Sequence, residues 1–199
     1  MAEQREDRSL HGSVPDQSDV ALLIIDVIND LEFDDGDKLL QFALPMAERL
    51  AELRQRFRDT GLPVVYANDN FGRWRSDFRV QVDHCLNEGV RGKPIVELLR
   101  PHDDDYFVLK PKHSAFYATT LDVLLEHLQV RSLVITGVAA DICVLFTAND
   151  AYMRDFDIVI PSDCVAANTR QQSDVALQLM HRVLKADIRP SSQLLRSIG

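Results

Sequence analysis

The sequence predicts an α/β domain of three layers, α/β/α, built on a central, mostly parallel sheet of about six strands. Two observations predict it. Short runs rich in β-branched and other apolar residues recur along the chain, and segments with helical spacing separate them. The first and fourth runs are apolar throughout rather than alternating, as expected of strands buried on both faces. Strand and helix in alternation then imply crossover connections and parallel pairing.

The first 18 residues are polar and aperiodic and read as a tail or arm, which leaves 19–199 as a single domain. VALLIID (20–26) is the first strand. Apolar residues then fall at 39, 43, 46, 50, 53 and 57, steps of three and four that specify a helix, with Pro45 expected near its first turn. Gly61 ends that helix, and LPVVYAN (62–68) is a second strand. From 69 to about 105 the chain is mixed: a loop rich in Arg, Asp and aromatics, then a short helix around 95–100. YFVLK (106–110) is a third strand. Leu121, Leu124, Leu125 and Leu128 make a helical stripe behind Thr119 and Asp122, which stand in capping-box spacing. SLVIT (132–136) is a fourth strand, followed by a helix carrying Cys143, with Leu145, Ala148 and Tyr152 on one side. FDIVIP (156–161) is a fifth strand, 175–184 an amphipathic helix, and 186–188 a candidate for a last short strand. Neither an internal repeat nor a linker divides the chain.

A chain of 199 residues, 46% of them hydrophobic, suits one well-packed domain. Its 22 basic and 31 acidic residues give a net charge of -9, the wrong sign for nucleic acid or an anionic membrane as partner. No apolar run approaches the roughly 18 residues that span a bilayer, and the opening MAEQREDRSL lacks the character of a secretion signal. Cys85, Cys143 and Cys164 are dispersed, with no C-x-x-C pair, and read as reduced thiols of a cytoplasmic protein.

In parallel sheets, ligands bind beyond the carboxyl ends of the strands. Those ends carry Asp26, the run Asn68-Asp69-Asn70, Lys110, and Gly137-Val138-Ala139 leading to Cys143. Singly, each has a plain structural reading: a turn acid, a solvated lysine, a small core cysteine. Together they form a chemically coherent set. A thiol attacks once ionised, and its usual pKa of about 8.5 falls near cations and helix N-termini. Cys143 is expected to have both, with Lys110 as the cation. Asp26 is placed to accept the thiol proton and pass it to a leaving group. Backbone amides around Ala139 and Cys143 are placed to face an oxyanion.

DVINDLEF after the first strand, KPKHSAFYATTL after the third and GVAADICVLFTANDA after the fourth resemble the three signature segments of the isochorismatase-like cysteine hydrolases. That superfamily includes nicotinamidase, N-carbamoylsarcosine amidohydrolase and other amidases. The resemblance runs from about residue 20 to about residue 188 and implies an isochorismatase-like Rossmann-type fold. It makes Asp26 the catalytic aspartate, Cys143 the nucleophile, and Lys110 the lysine, chosen over Lys112 because it precedes Ser114 of Ser-Ala-Phe by four residues. It also implies a cis peptide bond at Val138 and Ala139, an oxyanion hole from the Ala139 and Cys143 amides, no cofactor, and a homodimer or homotetramer. Three positions depart from the family's pattern. Ile28 stands where Gln is frequent, and Ala140 where Thr is common. NDNFGRWRSDF lacks the Asp-x-His…His cluster of the metal-binding members, leaving Asp69 alone, so no metal is expected.

Phe33, Asn70, Phe71, Trp74, Phe116 and Tyr117 lie in loops near the expected site and are candidates for the substrate pocket. Trp74, between Arg73 and Arg75, is the best of them for a rim that stacks on a planar or anionic substrate. Cys85 and Cys164 read as structural, and Asn29, Asp30 and Asp141 as cap or turn residues. The expected activity is hydrolysis of a small-molecule amide or related C–N bond through a thioester. The alternatives are vinyl-ether hydrolysis, which family members perform without a cysteine nucleophile, a non-catalytic member, and a redox sensor at Cys143.

Overall fold

Residues 17–70 and 77–194 are described by a computed structural model of the chain. Six parallel strands make one sheet: β1 (Val20–Ile25), β2 (Val64–Asp69), β3 (Tyr106–Lys110), β4 (Ser132–Val138), β5 (Asp157–Val159) and β6 (Val165–Ala166). The order is β3-β2-β1-β4-β5, and β6 pairs with the far end of β4. The chain steps outward from β1 to β3 and then returns to lay β4 on the other side of β1. The reversal makes the carboxyl ends of β1 and β4 the switch point of the sheet.

The uninterrupted apolar run of β1 has its explanation in two cores. Ala21, Leu23 and Ile25 pack into one cluster with the helices α4 (Leu121–His127), α5 (Leu145–Tyr152) and α6 (Arg170–Leu184). Leu22 and Ile24 pack into the other with α1 (Gly36–Asp59), α2 (Phe78–Asn87) and α3 (Lys93–Leu98). A strand buried on both faces gains roughly 1.5–3 kcal/mol from each large aliphatic side chain, so β1 anchors both layers. A short α7 (Ser191–Leu194) ends the described chain. Among the described residues, no helix is long and apolar enough to cross a membrane.

Several elements depart from the sequence reading. The first helix begins at Gly36, so Pro45 lies in its interior and not its first turn. Proline there leaves the Gln41 carbonyl without its helical donor, and both residues are on the exposed side, where water can take its place. The stretch read as loop contains α2, capped by the Asp77 side chain, which accepts from the Arg79 amide. Its buried face, Phe78, Gln81 and Cys85, is helical in spacing, but the alternating Phe-x-Val-x-Val obscures it. The capping box at Thr119 is not formed. Thr119 Oγ1 accepts from the Leu121 amide and donates to the Ala115 carbonyl, while Asp122 takes Arg154. The expected last strand contracts to a single bridge between Val159 and Asp187. β6 was not anticipated; two residues are too few to show a period.

Gly137, near the end of β4, has φ of 106°, and a Cβ there would meet the Ile25 carbonyl oxygen at 2.1 Å. This is where β4 closes on the strand that delivers Asp26. Gly137→Ala is therefore expected to cost about 3 kcal/mol or more. A lowered urea midpoint checks this; an unchanged midpoint would mean that β1 and β4 are not in such tight register.

Candidate active site

Each of the three site side chains stands where a strand ends. Asp26 follows β1 with φ of 52°, a left-handed conformation that costs a non-glycine residue about 1 kcal/mol and turns the chain sharply. Its loop is clamped from β2 by buried Asn68, whose Oδ1 accepts from the Ile28 amide at 3.4 Å and whose Nδ2 donates to the Ile28 carbonyl at 2.6 Å. Ile28, where the family often has Gln, is fully buried and meets Asn68 through its backbone. Lys110 is the last residue of β3. The Val138–Ala139 peptide bond is cis, and a π-helical turn, Ala140–Val144, carries Cys143 into α5. The loop after Lys110 is fastened to α5 by the Ala115 amide, which donates to Thr147 Oγ1 at 3.0 Å.

The three side chains meet. Lys110 Nζ lies 2.8 Å from Asp26 Oδ2 and 3.5 Å from Cys143 Sγ, and donates to the Lys112 carbonyl at 3.2 Å. Asp26 Oδ1 accepts from the Asp69 amide at 2.7 Å, so both carboxylate oxygens are engaged. Lys110 is wholly inaccessible and Asp26 nearly so.

Burial governs the charges. It pushes the Asp26 carboxyl above the ordinary range, against the pull of Lys110 and of the thiol and amide donors. It pulls the Lys110 ammonium down, but the charge of Asp26, followed by those of Cys143 and Asp69, leaves Lys110 raised. For Cys143, burial and then the Asp26 charge push the thiol up to about 12, outweighing Lys110. The sequence reading of a thiol activated in advance by Lys110 and a helix start is thereby corrected. The lysine is engaged with Asp26, and a buried carboxylate beside the sulfur opposes a second negative charge.

Of the pocket candidates, Phe71 and Trp74 lie outside the described residues. Phe116 is a core residue and not a pocket wall: it is buried against Phe156, with the Arg154 guanidinium 4.7 Å above its ring. Asn70 is buried, and its amide donates to the Lys110 carbonyl. Phe33 and Tyr117 are exposed on their loops. Sequence reasoning passed over His113, whose Nδ1 lies 3.8 Å from Cys143 Sγ. The available signal was its place in KPKHSAF, directly before Ser114. Asn29 and Asp30 act as turn residues, accepting from the Leu31 and Glu32 amides, and Asp30 also meets His84. Asp69 Oδ2 lies 4.0 Å from the Lys110 ammonium, an unfavourable setting for a metal cation. Among the described residues, no three His, Cys, Asp or Glu side chains gather as a metal site would require. Behind Asp26 only a void of about 10 Å³ remains, against about 460 Å³ for the groove between α1 and α6. Volume does not locate the chemistry here; the convergent polar groups do.

The isochorismatase domain family matches residues 20–187, which span the whole sheet and all three site residues. The chain belongs to the isochorismatase family. It is 45% identical over 179 residues to the uncharacterized isochorismatase family protein YaaI of Bacillus subtilis, covering 90% of this chain and 98% of that one. The crystal structure of N-carbamoylsarcosine amidase from Thermoplasma acidophilum is 29% identical, with a TM-score of 0.66 over 87% of this chain and 97% of that one. Nicotinamidase/pyrazinamidase PncA from Bacillus subtilis is also 29% identical, with a TM-score of 0.68 over 86% of this chain and 100% of that one.

For this isochorismatase-family chain, the buried ion pair makes a direct prediction. Lys110→Met leaves the Asp26 carboxylate buried without its cation, which is expected to cost about 3–5 kcal/mol. Asp26→Asn combined with Lys110→Met is expected to recover most of that loss. Urea denaturation near neutral pH measures both, and additive losses would mean that the two groups do not depend on each other.

Proposed function

We infer that the protein hydrolyses a small-molecule amide or related C–N bond, with Cys143 as nucleophile. The observation that carries this reading is one buried ammonium that meets both the sulfur, at 3.5 Å, and the Asp26 carboxylate, at 2.8 Å. A thiol held as S–H beside a buried carboxylate is suited to attack in which its proton leaves as the S–C bond forms. Two relatives named for cleaving such bonds, N-carbamoylsarcosine amidase and nicotinamidase/pyrazinamidase, lend the substrate class.

In the proposed course, Sγ attacks the carbonyl carbon and the thiol proton passes to Asp26. The Ala139 and Cys143 amides receive the developing oxyanion, a role worth roughly 3–4 kcal/mol for a single donor elsewhere. Asp26 then protonates the departing nitrogen, and the C–N bond breaks to leave a thioester on Cys143. Asp26, again ionised, takes a proton from water as it attacks the thioester, and the acid is released with the thiol restored. Lys110 keeps the carboxylate charged between proton transfers.

Cys143→Ala is expected to abolish turnover and leave the fold intact. A screen of small primary amides, ureas and carbamoyl compounds, read by released ammonia, provides the substrate; full activity in the variant would overturn the mechanism. The pH profile supplies a second check. Asp26 must be ionised to accept the proton, and burial raises its pKa, so kcat/KM is expected to fall on acidification at a pH above the usual carboxylate value of about 4. A fall centred at or below that value would remove Asp26 as the base.

A further inference from the structure

We propose that His113 is a second catalytic contact of the nucleophile, its Nδ1–H donating to the Cys143 thiolate from the solvent side while Lys110 does so from the buried side. The proposal rests on the reading that Cys143 attacks a carbonyl, and it adds a group that this mechanism leaves unused.

The sulfur has two nitrogen neighbours. Lys110 Nζ lies at 3.5 Å on the inaccessible side, and His113 Nδ1 at 3.8 Å on a side chain open to solvent. His113 is held there from both directions. Its ring packs against Phe146 of α5, with centroids 5.4 Å apart and planes at 50°. The residues that follow it are pinned: Ser114 Oγ accepts from the Phe116 amide, and the Ala115 amide donates to Thr147 of the same helix. The loop bearing His113 and the helix continuing from Cys143 therefore move as one body.

Lys110 alone is an incomplete partner for a thiolate. Its ammonium has three N–H groups. Asp26 and the Lys112 carbonyl take two of them, and the carboxylate claims most of its charge. As the thiol proton passes to Asp26 and the sulfur turns negative, an N–H on the solvent side meets charge that Lys110 meets only in part. His113 keeps its own proton throughout, so no bond to it forms or breaks. Phe146, the contact from α5, is uncharged.

The test needs no substrate. The rate of iodoacetamide alkylation at Cys143 is read by peptide mass spectrometry at one fixed pH. The intact protein is compared with His113→Ala and His113→Lys, both changes at an exposed position. His113→Ala is expected to react about three- to tenfold more slowly, the effect of losing one hydrogen bond to the sulfur. His113→Lys, which keeps an N–H donor, is expected to hold the parent's rate. A His113→Ala rate equal to the parent's overturns the proposal. An intact His113 effect with no amide hydrolysed counts against the hydrolase reading alone; turnover with no His113 effect counts against this inference alone.

Discussion

The site depends on one buried ion pair, Lys110 with Asp26, closed at 2.8 Å, with Lys110 inaccessible and Asp26 nearly so. An isolated ammonium or carboxylate in such a place would give up its charge, because desolvation costs several kcal/mol per ion. Each therefore favours the other's charged form: Asp26 keeps Lys110 raised, and Lys110 opposes the burial that raises Asp26. The fold maintains this arrangement through rigid parts: two strand ends, the Asn68 clamp on the loop after β1, and the Asp69 amide on the second carboxylate oxygen. Such a pair contributes little net stability, and in the proposed course what it provides is a fixed proton acceptor away from bulk water.

The sulfur completes the unit from a third strand end. Its thiol is pushed up, not down, because burial and then the Asp26 charge outweigh Lys110, which is itself paired with Asp26. A thiol raised in this way favours its S–H form over the thiolate. The S–H form protects the sulfur from indiscriminate alkylation and oxidation, which follow thiolate character. In the proposed course, reactivity appears when an electrophilic carbonyl accepts the sulfur while Asp26 accepts its proton.

Much of this was legible in the sequence, for reasons that belong to the residues. Val20–Ile25 and Leu133–Ile135 are unbroken apolar runs because β1 and β4 are covered on both faces, so the central strands announce themselves. Asp26, Lys110 and Cys143 were found because strand ends in a parallel sheet converge at one edge, and a strand can be counted to its end. What stayed hidden depends on packing. The α2 helix hides behind alternating Phe78, Val80 and Val82, of which Val80 is exposed. The π-helical turn at Ala140–Val144 has no period of its own to detect. Phe116 looked like a loop aromatic, and only the position of Phe156 and Arg154 shows it to be core. The sign of the Cys143 shift could not be foreseen either, since it follows from burial and from the Asp26–Lys110 distance. His113 was passed over because a lone histidine carries no pattern until the sulfur is found beside it.

The account stands or falls on where the proton rests. The thiolate's ultraviolet absorbance, taken as the difference between the parent protein and Cys143→Ala across a pH titration, reports it directly. The difference is expected to stay flat through neutrality and to rise only above about pH 9, as for a thiol disfavoured by burial and a neighbouring carboxylate. A rise centred near or below neutral pH would reveal a thiolate formed in advance, and would contradict the Asp26-coupled attack.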